Sequence, residues 1–296
     1  VPYYLKSGER VPAGIRRIIR EEIVSAAREL SGAGSTNRDE AIHEARKSMK
    51  KIRGAMRLMR PELDAIYPPE NAWFRDVGRR LSQFRDARVM IETFDALRKK
   101  YRASLGATAL ASVRRGLAAR RKPPAELESV LRPLAAELRR SSQRVRNWPL
   151  LADGFAALAP GLETAFRKGR KAFHRVCTTP SHENYHEWRK RVKDHWYHVR
   201  LFERYWTAPI EAYEKSLKEL ETLLGEDHNL VVLERTLRDD PASRGNATDV
   251  DLLFKLITRD RKELRGKARK LGRHIYTAKP RRLTKQFHQL WDVAYK

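Results

Sequence analysis

Apolar residues recur at three- and four-residue spacing along nearly the whole chain, and alternating β-branched runs are almost absent. That pattern predicts an all-α protein. In the first half it predicts helices over Pro12–Leu30, Arg38–Arg60, Pro69–Tyr101 (with an interruption near Asp86) and Pro124–Arg146. In the second half it predicts Leu162–Val176, His182–Trp206, Pro209–Leu224, Asp227–Leu237, Asp249–Tyr276 and Pro280–Tyr295. Pro12, Pro69, Pro124, Pro209 and Pro280 suit the first turn of a helix, where the N–H that proline lacks would have no partner. Glycine, proline and serine punctuate the predicted breaks at Ser31–Ser35, Lys122–Pro124 and Asp240–Asn246.

Laid on these helices, the chain repeats itself. His43-Glu44-Ala45-Arg46-Lys47-Ser48-Met49-Lys50 returns 143 positions later as His186-Glu187-Trp188-Arg189-Lys190-Arg191-Val192-Lys193. The same offset aligns Arg57-Leu58 with Arg200-Leu201, Leu81 with Leu224, Asp86 with Asn229, and Val89 with Val232. One offset held over so long a stretch implies duplication of a structural unit. It divides the chain into repeats 1–148 and 149–296, with the junction near Trp148-Pro149.

Each repeated helix has two unlike faces. At about 100° per residue, His43, Arg46, Lys47, Lys50, Gly54 and Arg57 fall within one arc, and His186, Arg189, Lys190, Lys193, Tyr197 and Arg200 fill the same arc in the second copy. Met49, Ile52 and Met56, and Trp188, Val192 and Val199, point toward a core. A lysine-rich stripe is ordinarily a solvated face. Here few carboxylates apart from Glu44 and Glu187 interleave the cations, whereas ordinary surfaces mix signs to avoid i,i+4 repulsion. Neighbouring helices extend the theme with Arg16, Arg17 and Arg20 in one copy and Arg167, Lys168 and Lys171 in the other. Arg75 and Arg79 share a face with Asp86; their counterparts are Lys218 and Thr222, so the second copy is less basic there.

Composition narrows the partners. The 63 Lys and Arg against 37 Asp and Glu give a formal charge of +26 over 296 residues, which favours an anionic partner without specifying a fold. Cys177 is the single cysteine, excluding an intramolecular disulfide or a cysteine-based metal cluster and pointing to a reducing, cytoplasmic setting. No stretch approaches the roughly 20 apolar residues of a membrane span. The histidines lack a His-Glu-x-x-His spacing and stand beside cations, which disfavours a metal site. His43–Asp86 and His186–Asn229 have equal separations, so structural hydrogen bonds that orient the basic helices are expected, with direct anion contact as the alternative. Tyr197 alone interleaves an aromatic ring with the cations, which weakens a base-stacking, nucleic-acid reading.

The two His-Glu-x-Arg-Lys-x-x-Lys motifs, with Phe84-Arg85-Asp86-Ala87-Arg88-Val89, Leu224-Gly225-Glu226-Asp227-His228-Asn229-Leu230 and Tyr276-Thr277-Ala278-Lys279-Pro280, resemble the conserved histidine α-helical domain (CHAD) family. The resemblance implies two four-helix bundles related by approximate twofold symmetry, with a basic channel or groove between them. It implies binding of inorganic polyphosphate there, and association with polyphosphate or polyhydroxyalkanoate granules and their surface proteins. The residues expected to line the channel are Arg16, Arg20, His43, Arg46, Lys47, Lys50, Arg57, Arg75, Arg79, Arg167, Lys171, His186, Arg189, Lys190, Lys193, Arg200 and Lys218. Hydrolysis would need clustered carboxylates for Mg²⁺ or a placed nucleophile, and the basic face has neither. A non-enzymatic binder without cofactor or metal is therefore expected, with nucleic acid bound only non-specifically. A nucleic-acid-binding protein, a polyphosphate or triphosphate hydrolase and a granule scaffold are the alternatives.

Overall fold

The computed structural model describes residues 2–32, 37–102, 110–120, 124–203, 208–239 and 247–295. Among these the regular structure is helical: α1 (Val11–Leu30), α2 (Arg38–Leu58), α3 (Arg60–Leu63) with a 3₁₀ turn after it, α4 (Tyr67–Lys100), α5 (Ala111–Ala119), α6 (Pro124–Arg146), α7 (Gly154–Thr178), α8 (His182–Arg200), α9 (Ala208–Asp239), α10 (Ala247–Ile275) and α11 (Pro280–Tyr295). Most of the residues in the three predicted breaks lie outside the described residues, as does Trp206, the expected end of the second basic helix.

Local chemistry starts the two basic helices. The Asn37 side chain accepts from the backbone N–H groups of Asp39 and Glu40, capping α2, and the Ser181 side chain accepts from Asn184 N–H, capping α8. These bonds satisfy donors that the first helical turn leaves unpaired. Asn37→Ala is expected to cost about 1 kcal/mol, read as a lowered urea midpoint with unchanged m-value.

Helix order and packing repeat between the halves. In the first, α1 packs on α2, α2 on α4, α5 on α4 and α6 on α1; in the second, α7 packs on α8, α8 on α9, α10 on α9 and α11 on α7. The halves meet through α2 against α8 and α4 against α9. One continuous apolar core runs through both, from Ile15, Met49 and Phe74 to Phe166, Trp188 and Leu220. A smaller core joins Met90, Phe94, Val113, Leu233 and Leu253 where the far ends of α4 and α9 meet α5 and α10. The junction is clamped to α1: Arg16 donates to the carbonyls of Trp148 and Leu150 at 2.6 and 3.1 Å, and Asp153 accepts from Val11 N–H at 2.8 Å.

Three expectations change. α4 runs through Asp86 without a break, and α9 runs through Gly225 as one helix. In both, the C-terminal stretch carries apolar residues of the smaller core, and buried Asp227 is held by Arg265 of α10 at 2.9 Å. Tertiary burial here outweighs local helix breakers. α7 begins at Gly154, well before Leu162, because Phe155, Leu158, Leu162 and Phe166 form one buried stripe across Pro160. α5 was not expected; Val113 and Leu117, four apart, bury it.

Candidate anion-binding site between the basic helices

The 143-residue offset makes Gly54 of α2 and Tyr197 of α8 equivalent, and in space these two touch each other. A Cβ on Gly54 would lie 2.9 Å from the Tyr197 Cβ. At a crossing between equivalent positions one side chain must be absent for the other to be large. Tyr197 is therefore buried and packed edge-on to Tyr3, with ring centroids 6.0 Å apart, and it offers no exposed face for stacking. His198 Nε2–H donates to the Gly54 carbonyl at 2.9 Å, tying the helices together. Burial holds the pKa of His198 down to about 3, so this link stays neutral.

One turn before the crossing the cations converge. Lys50 and Arg46 of α2 stand near Lys193 and Arg189 of α8. Burial, then Lys193, Arg46 and Arg189, press the Lys50 ammonium down to a pKa of about 6 against the weaker pull of Glu221. Lys50 has no ion-pair partner among the described residues. Its equivalent, Lys193, lies 2.6 Å from Glu221 of α9, which also meets Lys218 at 3.0 Å and Arg189 at 3.8 Å. Burial alone would raise the Glu221 pKa, but Lys193 and Lys218 overcome it and hold that pKa down to about 2. In the first repeat the position of Glu221 is Gly78, and the carboxylate nearest Arg46 is exposed Asp86, 3.9 Å away. Both halves thus carry the cations, and only the second meets its lysine with a buried carboxylate.

Other expected residues fall into distinct places. Lys47 and Lys190 sit at the rim, in short-range pairs with Glu44 and Glu187 at 2.8 and 2.6 Å; such pairs contribute only tenths of a kcal/mol and give way to a stronger anion. Arg57 is bound at 2.9 Å to Asp194, which occupies the position equivalent to Lys51. Arg200 lies over the rings of Trp196 and Tyr3, at 5.2 and 5.6 Å. Exposed Arg75 and Arg79 share Asp76. Arg16 is spent on the junction carbonyls, and Arg20, Arg167 and Lys171 lie outside the hydrogen bonds and ion pairs of the α2–α8 cluster.

The expected histidine partnerships do not form. Asp86 faces Arg46, and no hydrogen bond joins it to His43; likewise none joins His186 to Asn229. The His186 ring instead packs against His228, with centroids 4.5 Å apart, and His182 stacks on His228 at 5.9 Å. In the first copy Arg85 takes the place of His228. Burial, with Arg85 beside His43 and with Lys190 and Arg189 beside His186, lowers both pKa values, so both rings are neutral at pH 7. Sequence reasoning passed over Glu221 and His228, although the offset already exposed Gly78 and Arg85 as their unlike counterparts.

The profile of the CHAD domain matches residues 17–238. The chain belongs to the CHAD domain family. The crystal structure of the CHAD domain from the plant Ricinus communis resembles it with a TM-score of 0.63 at 16% identity, over 94% of this chain and 95% of that one. At that identity the likeness concerns the fold. No curated protein sequence matches the chain. In this CHAD domain no described helix is long and apolar enough to cross a membrane, and no three His, Cys, Asp or Glu groups among the described residues are placed to hold a metal ion.

Proposed function

We propose that this CHAD domain binds inorganic polyphosphate, without hydrolysing it, along the cations shared by α2 and α8. The observation that carries the reading is Lys50, half-buried among Arg46, Arg189 and Lys193 with no carboxylate of its own. A buried ammonium in like-charged company destabilises the fold, and an arriving anion relieves that cost. Polyphosphate suits the arrangement because it is a flexible file of anionic groups with no bases. It needs cations in register, including planar arginine forks, and no stacking platform. Tyr197 is buried, and the Trp196 ring is covered by Arg200 and by Lys218 at 4.7 Å. By this reading the protein would collect on polyphosphate-rich granules.

Binding of long-chain polyphosphate should exceed that of single-stranded DNA of equal charge by about a hundredfold at matched salt. Both affinities should fall with salt, with a slope of about 0.7 per phosphate contacted. Equal affinity for the two polymers would reduce the site to non-specific electrostatics and favour a nucleic-acid partner. Phosphate release from polyphosphate on incubation with Mg²⁺ or Mn²⁺ would replace the binder with a hydrolase.

A further inference from the structure

One difference between the two repeats falls at the cation cluster. Glu221 on α9 is buried, with its carboxylate shared by Lys193, Lys218 and Arg189. The equivalent residue on α4 is Gly78. That glycine is not required for space: a Cβ there would meet only the Met49 Cβ, at an ordinary contact distance of 3.7 Å. Glycine inside a helix is also less favourable than alanine, because it loses more backbone freedom on folding. Neither packing nor propensity explains its presence at this point, and its effect is to leave Arg46 and Lys50 without the carboxylate that their counterparts have.

A carboxylate and a phosphoryl group present similar oxygens to a cation cluster. Glu221 already fills the second repeat's cluster with such oxygens, and being tethered it cannot diffuse away. A phosphate brought to the same cations would meet its negative charge in a poorly solvated place, where like charges repel strongly.

Resting on the polyphosphate reading above, we infer that Glu221 is a specificity-determining residue: it stands in for a phosphate in the second repeat, so the polymer seats on the open first-repeat cations around Lys50 and Arg46. The pseudo-symmetric cation cluster is thereby a one-sided site, and Gly78 is the difference that makes it so.

Three variants test this. Glu221→Gln should release Lys193, Arg189 and Lys218 to the ligand. Polyphosphate should then bind about tenfold tighter, with a salt dependence steeper by roughly 0.7 for each new phosphate contact. Gly78→Glu should close the first repeat and weaken binding about tenfold, with a shallower slope. Combining the two should return affinity to near the wild-type value and move the site to the second repeat, so that loss of Lys193 then matters more than loss of Lys50. Unchanged slopes in both single variants, or weaker binding by Glu221→Gln, would overturn the inference. The ligand-free lysine Nζ signals give a readout independent of polyphosphate: Gly78→Glu should move the Lys50 titration upward, and Glu221→Gln should move that of Lys193 downward. Static Nζ titrations would sink the asymmetry itself, whereas wild-type protein that ignores polyphosphate while these titrations shift as stated would sink only the parent reading. If Gly78→Glu fails to fold by circular dichroism, Glu221→Gln decides through its slope and its Lys193 titration.

Discussion

Replacing Lys50 by methionine will raise the melting temperature and weaken polyphosphate binding in the same protein. The two effects share one cause. Burial and three neighbouring cations hold the folded pKa of Lys50 at about 6, against an ordinary value of 10.5. Between those pH values the unfolded chain binds a proton that the folded chain releases, so the stability of the wild type rises with pH across that window and levels off below about 6. Each pKa unit of depression corresponds to about 1.4 kcal/mol, so removing the amine should stabilise the fold, and the melting temperature at pH 7 should rise by roughly 5 °C or more. The gap between variant and wild type should widen as pH falls from about 10.5 toward 6, because over that range only the wild type loses stability through this group.

Binding runs the other way. A bound polyanion raises the Lys50 pKa again, so wild-type binding takes up protons and tightens as pH falls from about 8 toward 6. Lys50→Met should bind about tenfold more weakly at pH 7, the loss of one charge-assisted contact, and should lose most of that proton uptake near neutral pH. Reversing Lys50 and Lys193 together to glutamate should abolish binding while helicity by circular dichroism is retained. Calorimetry in two buffers of different ionisation enthalpy measures the proton uptake, and thermal melts across pH measure the stability gap. A Lys50→Met protein that melts lower and binds as well as wild type would move the site elsewhere.

Gly161→Ala should be among the most damaging small substitutions in the chain. Helix α7 passes so close to the end of α2 that a Cβ at Gly161 would lie 2.0 Å from the Leu58 carbonyl oxygen and 2.7 Å from the Leu58 Cα. Those atoms are backbone within a packed helix end and cannot rotate aside. Relief requires sliding α7 on α2, which disturbs Leu58, Leu158 and Leu162, all buried in the shared core. Overpacking of this kind costs about 3 kcal/mol or more, seen as a fall in melting temperature of roughly 10 °C. Gly266→Ala provides the contrast: it sits in α10 with nothing within 4 Å of its added Cβ, and it should stabilise by about 0.5–1 kcal/mol through helix propensity. If Gly161→Ala melts within a degree or two of wild type, the close approach of α7 to α2 is wrong.

Much of the fold was legible in the sequence because helical periodicity is local: each turn shows its own buried face. The caps at Asn37 and Ser181 and the cation arcs from His43 to Arg57 and from His186 to Arg200 follow from residues within a few turns of one another. Failures came where distant burial overruled local signals, as in the uninterrupted α4 and α9 and the start of α7 ahead of Pro160. The histidine partners failed for a related reason: equal spacing of His43–Asp86 and His186–Asn229 fixes which helices are neighbours, but not which side chains meet, and Arg46 and His228 took the places expected of hydrogen bonds.

For the site, the sequence by itself determined the all-α fold, the doubling at a 143-residue offset, and which residues could carry positive charge on the repeated helices. Only the tertiary structure decided which of those charges remain free. Arg57 is neutralised by Asp194, Arg16 is bound to the junction and Lys193 is met by Glu221, while Lys50 has no ion-pair partner among the described residues. The physical reason is range: a helical face is set by neighbours three and four residues away, whereas the charge state of a cation is set by burial and by oxygens that arrive from other helices.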